Sequence, residues 1–408
     1  MDILMYSLIF PPDVCSNAYV FADLADELQR RGHTVSVITM IPHYGGDGSG
    51  LTPGKKSWYR CGNYHGMRTY HICTAEKKGG TVRQLRRFAE FFYYGMKLLR
   101  EESLTADVVL TQTPPPVLIA SVCSRMAKML HARSALVIQD MWTNDLHTEG
   151  KLSDGAFRAV NAIERKLYSQ LDGIVTISPY MAEKVRQKIN DDLPLAVIPN
   201  PVNCQLYHPV GDTETLRRKY DIGESDFVVS YVGNLGSAQD LRPLFRYARE
   251  HLNDGVVILI AGNGTCEDFV KTQSEGLPNV RFLGYVPREV TTELNAVSDV
   301  CTVMLDEVIT ATSFPSKLCT VMAMGRPVAL SCRSDCALRA YFAENEIGFS
   351  TAVDAPETFC REMEKLRQDP VRRSLCGENA YRAAMRDFAL PSIGEKYEVF
   401  FREIMKSE

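Results

Sequence analysis

Residues 311–332 read ATSFPSKLCTVMAMGRPVALSC. A polar run meets Phe314-Pro315-Ser316, then a single lysine, Lys317, and a stretch of small and apolar residues closed by Gly325-Arg326-Pro327 and the β-type run VAL. Lys317 and Arg326 are the only charges in the window. Ser316 can cap a helix starting near Lys317, Gly325 can end it in a left-handed turn, and a strand follows Pro327. Loop, helix and strand in that order form one α/β unit. A loop, a helix N-terminus and a cation together also describe an anion site, since unpaired N–H groups and the helix dipole face the ligand. The competing reading is a packing helix whose lysine reaches solvent.

The same alternation runs outward in both directions. Upstream lie FVVSYVGNLG, GVVILIAGNG, VRFLGYVP and VCTVML, each a short apolar run closing on a glycine-bearing loop or a helix. The first half has its own series. ILMYSLIF reads as a buried strand, AYVFADLADELQRR carries Val20, Leu24 and Leu28 on one helical stripe, and Gly32 stops it before the strand TVSVITM. Further strands fit GMRTYHI, DVVLTQT, SALVIQD and GIVTISP. Between the halves, LAVIPNPVNCQLYHP reads as a turn-rich connector. Short apolar strands alternating with helices imply mostly parallel sheets covered on both faces. The expectation is α/β with two Rossmann-like domains, 1–200 and 201–384, a tail over 385–408 packing back on the first, and ligand in the cleft between them.

Composition sets limits. At 408 residues, 45% hydrophobic and 24% charged, the chain is an ordinary globular protein of two-domain size. A net charge of −4 argues against a nucleic-acid partner. Twelve cysteines without CxxC or Cys/His ligand spacing suit reduced thiols in a cytoplasmic setting and no metal site. No stretch reaches the roughly 20 apolar residues needed to cross a bilayer.

Three glycine-bearing strand ends in the second half, at Gly233-Asn234-Leu235-Gly236, Gly262-Asn263-Gly264 and Gly284, let backbone approach one ligand edge. The first strand lacks GxGxxG, which disfavours a dinucleotide cofactor. The ordered set FPP, LADELQRRGHTVSVIT, IPNPVN…YHP, VGNLGSAQDL, IAGNG, VRFLGYVP and FPSKLCTVMAMGRPV resembles the family-4 glycosyltransferases of GT-B fold, in the branch that makes bacterial surface polysaccharides, including fucosyl and N-acetylfucosaminyl transferases. The resemblance covers nearly the whole chain. It implies retaining, metal-independent transfer of a hexosyl- or N-acetylhexosaminyl-type sugar from a UDP- or GDP-linked donor, with no cofactor, to a polyprenyl-diphosphate-linked glycan.

The resemblance places Gly233, Asn234, Gly236, Ser316 and Lys317 on the donor diphosphate, with Lys317 also supporting catalysis. Gly262, Gly284, Val286 and Thr320 would face the nucleoside, and Thr312, Phe314 and Pro315 the donor sugar. Where the family carries two glutamates eight positions apart, this chain has Thr312 and Thr320, and the phosphate-loop arginine and lysine become Asn234 and Asp240. In the first domain, Asp140 and Gln139 in VIQDMWTND would handle the acceptor hydroxyl or positive charge on the sugar; a helix-capping role for the aspartate is the alternative. Ser16 and Asn17 stand where a glycine pair is usual, on the acceptor side.

In TVRQLRRFAEFFYYGMKLLRE, Leu85, Phe88, Phe92, Met96 and Leu99 make one helical stripe, and Phe91, Tyr93, Tyr94 and Leu98 widen it. Arg83, Arg86 and Arg87 lie in its first turns. Such a helix can dock peripherally on an anionic membrane, here the inner face of the plasma membrane, or pack as core with a solvated basic end. Two other functions stay open: a nucleotide-sugar epimerase of similar fold, and a catalytically silent sugar-nucleotide-binding subunit.

Overall fold

Apolar runs too continuous for a half-exposed sheet become central parallel strands, buried on both faces. The computed structural model describes residues 1–43, 48–74, 81–113, 116–148, 150–306 and 315–406. The chain divides into two units, Met1–Pro201 with Leu390–Glu408, and Val202–Ala389.

In the first unit the strands are β1 (Asp2–Tyr6), β2 (Thr34–Met40), β3 (Thr52–Pro53), β4 (Tyr59–Tyr64), β5 (Met67–Ile72), β6 (Val108–Gln112), β7 (Arg133–Ile138), β8 (Gly173–Thr176) and β9 (Leu195–Val197). Among the described residues they form one sheet in the order β3-β4-β5-β2-β1-β6-β7-β8-β9. Pairing is parallel except at the edge, where β4 runs antiparallel to β3 and β5. Two core clusters cover the sheet. One includes Leu4, Tyr6, Phe91, Leu136 and Ile174, the other Leu24, Leu28, Val37 and Val137.

The C-terminal helix Leu390–Lys406 belongs to this unit. Its Tyr397, Phe400, Phe401 and Ile404 join the second cluster, and Glu398 receives Arg31 at 3.0 Å and His33 at 3.1 Å. The helix Ser16–Arg30 buries Leu24 and Leu28, with Cys15 in the cap position. Ser16 and Asn17 are therefore the first two residues of the helix.

The helix Thr81–Glu101 is more deeply packed than its aromatic excess suggests. Phe91 stacks on Tyr6 with centroids 4.4 Å apart, Tyr94 stacks on Trp58 at 5.0 Å, and Leu98 is fully buried. Arg87 is only 7% exposed, whereas Leu85 and Tyr93 are 58% and 59% exposed. The apolar breadth of this helix thus has a structural cause, and its outward face is narrower: Arg83, Leu85, Arg86, Ala89 and Tyr93.

The second unit contains β10 (Phe227–Val232), β11 (Val256–Ala261), β12 (Val280–Phe282), β13 (Val300–Met304), β14 (Val328–Cys332) and β15 (Gly348–Ala352). All pair in parallel in the order β12-β11-β10-β13-β14-β15. This is the Rossmann order, in which the chain reverses direction across the sheet between β10 and β13. Ligands bind outside the carboxyl ends of strands at such a reversal.

Candidate active site

At the carboxyl end of β10 the chain turns through Gly233, whose φ of +148° is open to glycine and strained for other residues. A Cβ there would lie 3.0 Å from Lys317 Nζ. Lys317 arrives from the other side of the reversal, in the first turn of the helix Ser316–Ala323, whose cap position is Pro315. Ser316 therefore starts the helix instead of capping it. Gly325, at φ +66°, ends it as expected.

The lysine ammonium donates to the Tyr231 hydroxyl at 2.6 Å and sits 3.9 Å from the centre of the same ring. That hydroxyl in turn donates to the Asn234 carbonyl at 2.6 Å. Tyr231 is buried, which pushes its own pKa up and keeps it a neutral donor. Among the described residues no carboxylate pairs with the ammonium, and desolvation lowers its pKa to about 7. A half-buried cation held only by a neutral hydroxyl and a ring face keeps donors that an anion could use.

Neighbouring strand ends lock the loop. Gly233 N donates to Ala261 O, Leu235 N to Asn263 O, and Gly262 N to Gly284 O, at 2.7–2.9 Å. The fit depends on Gly262, where a Cβ would sit 1.8 Å from the Gly233 carbonyl oxygen. Gly236 N and Asn234 Nδ2 both donate to Gln239 Oε1, at 2.9 and 3.2 Å. Several amides expected to be free for phosphate are therefore already bonded. The Gln239 carbonyl occupies a position that an anionic oxygen could take with the same two donors. A cavity of about 220 Å³ adjoins, lined in part by Gly236, Gln239, Asp240, Arg242 and Asp306. Asp240 is buried and clamps Arg242 through contacts of 2.8 and 2.7 Å.

The remaining second-unit residues divide in two. Val286 is half-buried beside a core cluster, near the Gly284 turn. The Thr320 hydroxyl donates to Ser316 O at 3.3 Å within its own helix. Thr312 and Phe314 lie outside the described residues.

In the first unit, Gln139 and Asp140 follow β7 directly, and both are half-buried. Gln139 is fixed from two sides, its amide donating to Thr113 Oγ1 at 2.9 Å and its Oε1 accepting from Asn200 Nδ2 at 2.8 Å. Asp140 lies close enough to Tyr168 for its charge to help raise that phenol, after burial and Glu164. Asn17 is exposed. Sequence reading missed Tyr231, which looks like one more core residue of FVVSYV, and Gln239, which looks like the start of a helix that in fact begins at Arg242.

Residues 17–201 match the Glycosyl transferase 4-like domain, and residues 226–369 match Glycosyl transferases group 1. The chain is similar to the putative colanic acid biosynthesis glycosyl transferase WcaI of Escherichia coli (strain K12), with 24% identity over 335 residues, 80% of this chain and 82% of that one. Among solved structures it resembles sucrose-phosphate synthase from Thermosynechococcus elongatus, at a TM-score of 0.76 and 15% identity over 100% of both chains. It also resembles Anabaena HepE in complex with UDP, at 0.70 and 16%, over 98% of this chain and 100% of that one. Both halves match glycosyltransferase families and both keep the Rossmann-like order, so the chain belongs to the glycosyltransferases of GT-B fold.

Proposed function

We propose that the protein transfers a hexosyl- or N-acetylhexosaminyl-type sugar, with retention and without a metal, from a UDP- or GDP-linked donor to a polyprenyl-diphosphate-linked glycan in bacterial surface polysaccharide synthesis. The observation that carries this reading is the desolvated Lys317 ammonium, on the helix Ser316–Ala323 that follows β13, set 3.0 Å from the Cβ position of Gly233 at the end of β10. The similarity to WcaI, named for colanic acid biosynthesis, supports the polysaccharide class, and the UDP held by HepE supports a nucleotide donor. On this reading the enzyme works at the cytoplasmic face of the membrane.

In the proposed reaction the acceptor hydroxyl oxygen bonds to the anomeric carbon on the face from which the diphosphate leaves. The bond from that carbon to the diphosphate oxygen breaks, and the acceptor proton passes to the departing diphosphate. Lys317 and the amides at the start of its helix stabilise the charge that develops there. Gly233, Asn234 and Gly236 line the diphosphate, with Gln239 giving way to a phosphate oxygen. Gly262, Gly284 and Val286 take the nucleoside, Thr320 stands near the ribose, and Thr312, Phe314 and Pro315 border the sugar. Asp140 holds the acceptor hydroxyl or balances positive charge on the ring, and Gln139 positions it.

The test is a panel of UDP and GDP sugars, read first by thermal stabilisation and then by transfer to a polyprenyl-diphosphate glycan in EDTA. Lys317→Ala is expected to lower kcat/KM by about 1.5–3 kcal/mol, the value of a charge-assisted contact to phosphate. Wild-type kinetics in that variant, or transfer that needs added magnesium or manganese, would refute the mechanism.

A further inference from the structure

A second basic site lies in the first unit, away from the residues discussed so far. The helix Asp154–Tyr168 presents Arg158, Asn161 and Arg165 to a cavity of about 350 Å³. Facing them are Lys184 on the helix Pro179–Arg186 and, just beyond it, Gln187 and Lys188. Spacings of three and four residues set each group on one helix face. Two stripes of like charge thus face each other across a groove, an arrangement that repels unless acids or an anion intervene.

The nearby acid is already engaged. Glu164 accepts Lys188 Nζ at 2.6 Å through one oxygen and the Thr143 hydroxyl at 2.8 Å through the other, and both ends of the ion pair are buried. Lys188 is therefore neutralised within the wall. Among the described residues no carboxylate pairs with Arg158, Arg165 or Lys184 within 4.0 Å; Lys184 rests on the Tyr180 ring at 5.3 Å. Arg158 and Arg165 are two helical turns apart, about 10 Å along the axis, so an anion that both contact must offer oxygens over several ångströms, as a diphosphate does.

We propose that this groove binds a diphosphate group, separately from the site at Lys317. Its assignment to the diphosphate of a lipid-linked acceptor rests on the proposed function; the binding itself does not. Inorganic pyrophosphate is the probe, titrated calorimetrically at low salt into the full chain carrying Lys317→Ala. One site is expected, weakened by added salt. Adding Arg158→Gln, Arg165→Gln and Lys184→Gln should weaken it at least tenfold with the melting temperature nearly unchanged, because two of the three side chains are exposed and the third half-buried. Arg165→Glu alone should give the same direction of change.

Flotation of the triple variant, with Lys317 intact, on phosphatidylglycerol vesicles separates the sources. Loss of flotation relative to wild type would show the groove holding a lipid monophosphate and overturn the diphosphate assignment, whereas unchanged flotation supports the diphosphate of the acceptor or of a soluble ester. Pyrophosphate affinity that survives the triple change, or a Lys317→Ala protein that binds none, overturns the proposal. Should Lys317→Ala leave nucleotide affinity untouched while the triple change still removes pyrophosphate, the donor reading fails and the groove stands.

Discussion

The two units finish the carboxyl ends of their mostly parallel sheets with different residues. Beyond β10, β11 and β12 the second unit uses glycines, closed on one another by backbone hydrogen bonds, and the half-buried cation of Lys317. Beyond β6 and β7 the first unit uses side chains: Thr113, Gln139 and Asp140, with Asn200 holding the Gln139 side chain. A diphosphate needs close backbone approach and positive charge, which side chains on the loop would obstruct. An acceptor hydroxyl needs an oriented acceptor atom, which backbone alone supplies poorly. The contrast fits the proposed division, with donor work in the second unit and acceptor work in the first.

Breaking the glycine lock should have the largest effect. Gly262→Ala drives a Cβ into the Gly233 carbonyl and demands a φ of +147°, so roughly 2–4 kcal/mol of stability should be lost. Denaturant melts check this, and a variant as stable as wild type would mean the loops are not locked together. Asp140→Asn tests the other side. It should lower kcat roughly 10- to 100-fold with UDP or GDP affinity unchanged; a change in nucleotide affinity instead would erase the division of labour.

Proton linkage sharpens the donor side. With its free-protein pKa near 7, Lys317 is mostly neutral at pH 8, and a bound diphosphate favours the charged form, so binding takes up a proton. Nucleotide affinity should fall about tenfold per pH unit above 7, and Lys317→Met should abolish that slope. The sign for stability runs the other way. The folded value lies below the ordinary 10.5, so the unfolded chain binds more protons between about 7 and 10.5, and the lysine's cost to folding, full below pH 7, fades across that window. Lys317→Met should therefore gain most stability at pH 6, measured against wild type.

The smallest effect belongs to the outward face of the helix Thr81–Glu101. Replacing Arg83 and Arg86 by glutamine should reduce flotation on anionic vesicles about two- to fivefold at low salt, each exposed cation contributing about 1 kcal/mol or less. Turnover of a short soluble acceptor should stay the same. Arg87 is left out because its side chain is buried. Wild type that never floats would make this helix purely a packing element.

Some of this was legible residue by residue. FVVSYV and VVILIA could only be buried strands, Gly233 and Gly262 could only be turns or close approaches, and the alternation along the chain could only be doubly wound. The antiparallel strand Tyr59–Tyr64 was not legible, because Arg60, Gly62 and Asn63 carry little strand preference and the pairing to β5 supplies what they lack. The aromatic breadth near residue 91 suggested a surface, yet Tyr6 and Trp58, distant in sequence, cover part of it.

By itself, then, the sequence determined the elements, their order and the positions of the strand-end loops, since periodicity, caps and turn chemistry act over a few neighbouring residues. The state of Lys317 was decided only by tertiary structure. A lysine at a helix start is ordinary until Tyr231, 86 residues earlier in the chain, is folded against it. Desolvation is a property of what surrounds a charge, and those surroundings are assembled by the sheet order that sets β10 beside β13. The same holds for the amides of Gly233 and Leu235: free in a reading of the loop, they are bonded once β11 lies alongside.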